Sequence, residues 1–156
     1  MNTFFLLEEL RNYLTPALEN ILLPRKSRGS TMTTETVPNL ILGLPPVGQE
    51  AWERVPFVSI QALSGKETEE GLATMEVGIR IAVRGESSEE AENHLHNLIN
   101  AVRHRLLTLK RHPLCSLYRL EATGSDGIAP WWRPDEQAHP FAEAFIMTTW
   151  TFKGME

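Results

Sequence analysis

Five histidines, one cysteine and an excess of carboxylates are the residues of this 156-residue chain whose types could do chemistry. A metal ion needs several ligands converging on one point. His94 and His96 are two apart on a segment of helical periodicity, which turns them about 200° apart around the axis, so they cannot share an ion. His104 and His112 lack a histidine four residues away, and no H-E-x-x-H pattern occurs. His139, beside Pro140, reads as a residue that shapes or caps a loop. The run Gly43-Leu-Pro-Pro-Val-Gly48 has the glycine spacing of a phosphate loop. Gln49 and Glu50 stand where that loop needs Lys and Ser or Thr, and the two prolines remove amide donors. Ser87, within Gly85-Glu-Ser-Ser-Glu, lacks the closing glycine of a nucleophile elbow. Asp135 and Glu143 could flank a nuclease metal, but no Glu-x-Lys follows to support phosphodiester chemistry. Cys115 with a distant histidine is too little for a thiol enzyme and reads as a small core residue. The residues therefore offer no catalytic, cofactor-binding or metal site.

The elements that would position any site are better defined. From Ala73 to Val83 apolar residues occupy every second place (Ala73, Met75, Val77, Ile79, Ile81, Val83), with Thr74, Glu76, Arg80 and Arg84 among the interleaved residues. Period two is a strand with one face on a core and the other toward water or a neighbour. Ser87 and Glu90 have capping-box spacing, in which hydroxyl and carboxylate satisfy each other's free N–H groups. The helix they open spans 87–110 and carries Ala91, Leu95, Leu98, Ile99, Val102, Leu106 and Leu109 on one stripe. Its acidic start and basic end suit the helix dipole, and Pro113 marks the stop.

Upstream, Phe4, Leu7, Leu10, Leu14, Ala17, Leu18, Ile21 and Leu22 predict an N-terminal helix over 1–23. Pro16 is read as a kink or as the first residue of a new turn capped by Thr15, and Pro24 as the stop. Residues 25–36 are polar, basic and aperiodic and read as a flexible loop or arm. A brief strand is expected within 40–47, others over 56–63, 114–122 and 141–153, and a hairpin loop over 64–71 bearing Glu67, Glu69 and Glu70. The whole reads as one α+β domain over 1–156. Its sheet region, 37–153, is an antiparallel or mixed sheet of four to five strands, with both helices on one face.

Composition narrows the function classes. With 42% hydrophobic and 22% charged residues the chain is ordinary for a soluble globular protein, and its formal net charge of -5 argues against generic nucleic-acid binding. One cysteine excludes an intramolecular disulfide. The apolar run 4–7 is too short to span a bilayer, and no basic region follows Met1, so neither membrane nor signal peptide is expected and the cytoplasm is the default. Trp131 and Trp132 stand apart, because tandem tryptophans in a proline-rich connection are costly to leave in water. Either their loop folds over the domain's own core or they bury against a second subunit.

Pro56-Phe-Val-Ser-Ile, Ala73-Thr-Met-Glu-Val-Gly-Ile-Arg-Ile, a charged turn and the helix 91–107 with Asn97-Leu-Ile follow one another along the chain. After them come Leu120-Glu121, the stretch Trp132-Arg-Pro-Asp-Glu-Gln-Ala-His-Pro-Phe and a return over 144–152. This succession resembles the tail terminator and minor capsid proteins of long-tailed phages and prophages. It spans 56–152, and residues 25–36 have no counterpart in it. The resemblance implies a structural protein that assembles with itself into a ring, commonly a homohexamer, on the head-proximal end of the tail tube. There it ends tube polymerisation and offers a docking surface to a head-completion protein. Its place would be the virion tail, and the host cytoplasm during assembly. No catalytic residue or cofactor is implied, and DNA would pass through without specific binding. The loop before the last strand then makes Trp131, Trp132, Pro134 and Phe141 candidates for the subunit interface. Glu67, Glu69 and Glu70 are candidates for the lumen or rim. The rival readings are a head–tail connector or stopper protein and, from another class, a small nucleic-acid-processing enzyme.

Overall fold

The computed structural model describes residues 3–26, 32–43, 54–135 and 140–153. Helix α1 (Thr3–Leu18) forms because leucines recur three and four residues apart, and Leu6, Leu7, Leu10, Leu14 and Leu18 are buried. Phe4 and Leu22, expected on the same stripe, are exposed. The helix runs through Pro16, and Thr15 caps no new turn; its hydroxyl donates back to the Arg11 carbonyl at 2.8 Å.

Pro24 does not end the helix but lies inside a strand, β1 (Leu23–Lys26), which pairs antiparallel with β2 (Thr33–Thr36). The expected loop over 25–36 is therefore corrected at both ends to a two-stranded ribbon; residues 27–31 lie outside the described ones. β-branched threonines make the second strand, and their polarity is why no apolar alternation announces it.

The main sheet has the order β3–β4–β5–β8–β6, with β7 also paired to β8. Its strands are β3 (Asn39–Leu42), β4 (Phe57–Glu67), β5 (Leu72–Arg84), β6 (Arg119–Glu121), β7 (Trp131–Trp132) and β8 (Phe141–Lys153). The pairing of β3 with β4 is parallel and the rest antiparallel, so the sheet is mixed. β4 runs past its expected end to Glu67, and the hairpin loop shrinks to a turn held by Gly71 N–H donating to Thr68 O at 3.0 Å. The strand expected over 114–122 is real only at Arg119–Glu121. Before it, Cys115 and Ser116 take φ of 44° and 62°, a left-handed turn closed by a Leu114–Tyr118 bridge.

Helix α2 (Ser88–Leu107) opens on Ser87, whose Oγ accepts the Glu90 N–H at 3.1 Å. The return contact differs from the expected box, since the Glu90 carboxylate takes the Glu86 N–H at 3.1 Å. All seven stripe residues are buried, and a 3-10 turn (Thr108–Lys110) finishes the helix. The fold is α+β. Both helices pack on one sheet face, where their leucines share a cluster with Val58, Ile60, Val77, Ile79, Ile81, Ile146 and Trp150. Tyr13 and Arg105 join the helices reciprocally. The phenol donates to the Arg105 carbonyl, the guanidinium donates to the Tyr13 carbonyl, both at 3.0 Å, and the cation lies 4.0 Å from the ring centre. On the core face Thr148 Oγ1 donates to the Val77 carbonyl and accepts the Trp150 indole N–H, both at 2.8 Å, which satisfies the buried polar atoms of β8.

Candidate interaction face

Strand alternation sends every second side chain of β4, β5 and β8 away from the helices. Register sets the outward residues in rows: Ser59, Arg80, Phe145 and Trp132 lie across the sheet in one, and Gln61, Gly78 and Met147 in the next. Among the described residues no helix covers this outer face. At its Arg84 end Val55, Phe57 and Ala82 form a small buried apolar cluster, with Ile41 and Phe141 packed against it.

Gly78 makes a hollow in the face. A β-carbon there would lie 3.0 Å from Leu63 Cδ1, so the leucine leans across the space a side chain would fill. Trp132 stacks on Phe145 with ring centres 5.7 Å apart and planes at 22°. Together with Ser59, Gln61 and Met147 these residues wall an apolar groove. Arg80 borders it, held by Glu143 at 2.7 Å and lying 5.4 Å from the Phe57 ring centre; Arg84 stands likewise 5.5 Å from Phe141. Planar cations on aromatic rings and an apolar groove are features common at protein-binding surfaces.

The strand β7 brings the tryptophans here. Ala129, at φ 50°, turns the chain; its carbonyl accepts Arg103 Nε–H at 2.8 Å, and the Pro130 carbonyl accepts the Met147 N–H at 2.9 Å. Downstream Arg133 reaches the Glu92 carboxylate on α2, which also bonds His96 at 3.0 Å. Burial alone would raise the Glu92 carboxyl, but the hydrogen bonds and charges of Arg133 and His96 outweigh it and hold it below its ordinary value.

Of the residues singled out from sequence, Trp131 and Trp132 are 38% and 46% exposed on β7, and Phe141 and Pro134 are half-buried. The tryptophans thus neither fold wholly over the core nor stand free of it. Trp132 lies on the outer face, while Trp131 meets the His96 ring edge-on at 5.6 Å. Glu67, Glu69 and Glu70 are exposed around the β4–β5 turn, at the opposite end of β5 from Phe141. Leu63, Gly78, Arg80, Phe145 and Met147 were not singled out as interface residues. The period-two pattern of β5 puts Gly78 and Arg80 on its outward side, and the β5–β8 register brings Met147 and Phe145 opposite them.

The residues weighed for chemistry stay apart. Glu143 is engaged by Arg80, and His94 bonds Glu90 at 3.3 Å within its own helix. Cys115 is exposed on its turn, which corrects the core reading: the left-handed backbone points the side chain outward. Partial burial and Glu9 raise its thiol, disfavouring the thiolate. Among the described residues no group of three or more His, Cys, Asp or Glu could hold a metal ion, and no helix is long and apolar enough to cross a membrane. His139 and residues 44–50 lie outside the described residues. No protein-family model matches the chain, and no curated protein matches it.

Proposed function

We propose that the chain is a tail terminator of a long-tailed phage or prophage. Copies of it close into a ring of six on the head-proximal end of the tail tube, end tube polymerisation and give the head-completion protein its docking surface. The observation that carries this reading is the outward sheet face, with its groove of Leu63, Trp132, Phe145 and Met147 beside the half-exposed Trp131. An aromatic apolar face of this kind is what a subunit contact buries. In a ring each face meets a different surface of the next copy, so the face need not be self-complementary. Trp131, Trp132, Pro134 and Phe141 belong to that contact, and Glu67, Glu69 and Glu70 to the rim of the channel. A net charge of -5 per copy suits a channel that DNA crosses without being gripped.

The test adds the purified chain to polymerising tail tube protein and measures tube lengths by negative-stain electron microscopy. The reading expects short tubes capped at one end by a ring. Tubes of unchanged length without caps would refute it.

A further inference from the structure

We infer that β7 is a releasable strap, and that the Glu92 carboxylate on the helix side of the molecule locks it onto the sheet. The inference stands on contacts within one copy and does not depend on the ring. A ladder of two residues, Trp131 opposite Ile146 and Trp132 opposite Phe145, is too short to hold a strand by itself. Neither tryptophan is buried deeply enough to anchor it. The strap is fastened upstream, where Ala129 is fully buried, its carbonyl accepts from Arg103, and Pro130 accepts from Met147. Beyond Trp132, Arg133 fastens the strap to Glu92. The same carboxylate holds His96, whose ring abuts Trp131, so Glu92 braces the strap at two residues from one point.

With Glu92 engaged, Trp132 stays stacked on Phe145 and forms one wall of the groove. With Glu92 disengaged, residues 131–135 pivot about the Ala129–Pro130 anchor and that wall is withdrawn. An ion pair on the α2 side thereby sets the shape of the opposite sheet face, and a partner that needs the seated tryptophan selects the locked state.

The test is a charge swap read by hydrogen exchange. Glu92→Arg and Arg133→Glu, made singly, are expected to speed exchange of the Trp132 amide about tenfold or more, with the Met147 amide at the Pro130 anchor and the β5 amides unchanged. The double variant Glu92→Arg/Arg133→Glu re-forms the ion pair, though not the bond to His96, and is expected to recover most of the lost protection. Wild-type exchange in both single variants, or a double variant that recovers nothing, overturns the inference. If charge reversal unfolds the chain, Glu92→Gln and Arg133→Gln are read the same way, and unchanged exchange in both overturns it.

Discussion

Gly85→Ala should be among the most damaging single-methyl changes in this protein. Gly85 lies between the end of β5 and the Ser87 cap, and its N–H donates to the Pro140 carbonyl at 3.0 Å. A β-carbon built on it would fall 2.4 Å from Ala91 N, 2.8 Å from Ala91 Cα and 3.0 Å from Glu90 C. All three are backbone atoms of the first turn of α2, so no side chain can swing aside. Reaching ordinary contact requires the helix start to move by roughly an ångström. That shift strains the bond from Ala91 N–H to Ser87 O, now 3.0 Å, and the cap at Glu90. Losing the cap costs about 1 kcal/mol and overpacking about 1–3 more, so the expected loss is about 2–4 kcal/mol. Gly71→Ala is the control. Gly71 has φ of 83° and no atom within 4 Å of its virtual β-carbon, so it suffers only the left-handed backbone penalty of about 1 kcal/mol. Urea melts followed by circular dichroism give both values. A Gly85→Ala variant no less stable than Gly71→Ala would refute the steric argument.

Leu98→Ala empties a fully buried site shared by α2 and the sheet and should cost about 2–5 kcal/mol in the same melts; a loss below about 0.5 would mean the helix presents another face. Ser87→Ala removes the acceptor of the Glu90 N–H and should cost about 1 kcal/mol without altering the mass of the assembly. Burial, with the negative charges of Cys115 and Glu9, pushes the Tyr118 phenol up to about 12 from an ordinary value of 10. A raised acid is neutral in the folded chain where it would ionise in the unfolded one. Its contribution is therefore complete below pH about 10 and lost as pH climbs toward about 12. Ultraviolet titration should show a late phenol that vanishes in Tyr118→Phe; early ionisation of every phenol in the folded chain would contradict the burial.

Where period and packing coincide, the fold was legible. β8 runs over Phe141–Lys153 as expected, β5 carries the alternation read from Ala73 to Val83, and the stripe from Ala91 to Leu109 is the buried side of α2 and the turn that follows it. What escaped was structure that carries no apolar signal. The ribbon of β1 and β2 is held by backbone pairing between a Pro-Arg-Lys strand and a threonine strand, neither of them amphipathic. Cys115 and Ser116 take left-handed φ without a glycine to announce it, which cut β6 to three residues. Parallel pairing of β3 with β4 is a choice made in three dimensions. The candidate face was legible in part, since Arg80 and Arg84 sit at outward places in the β5 pattern. That Trp132 would land on Phe145 depends on the β7–β8 register, which no local spacing encodes.

The most direct test of the central proposal is the mass of the protein in solution, by native mass spectrometry and sedimentation over a salt series. Six copies of the 17.7 kDa chain give a ring of about 106 kDa. Because the proposed contact is apolar and aromatic, and salt screens repulsion between copies that are each formally -5, the ring should persist as salt rises. Trp132→Ala should shift it toward smaller species. A wild-type chain that stays at 17.7 kDa at high concentration, or a ring that dissociates as salt rises, would contradict the account.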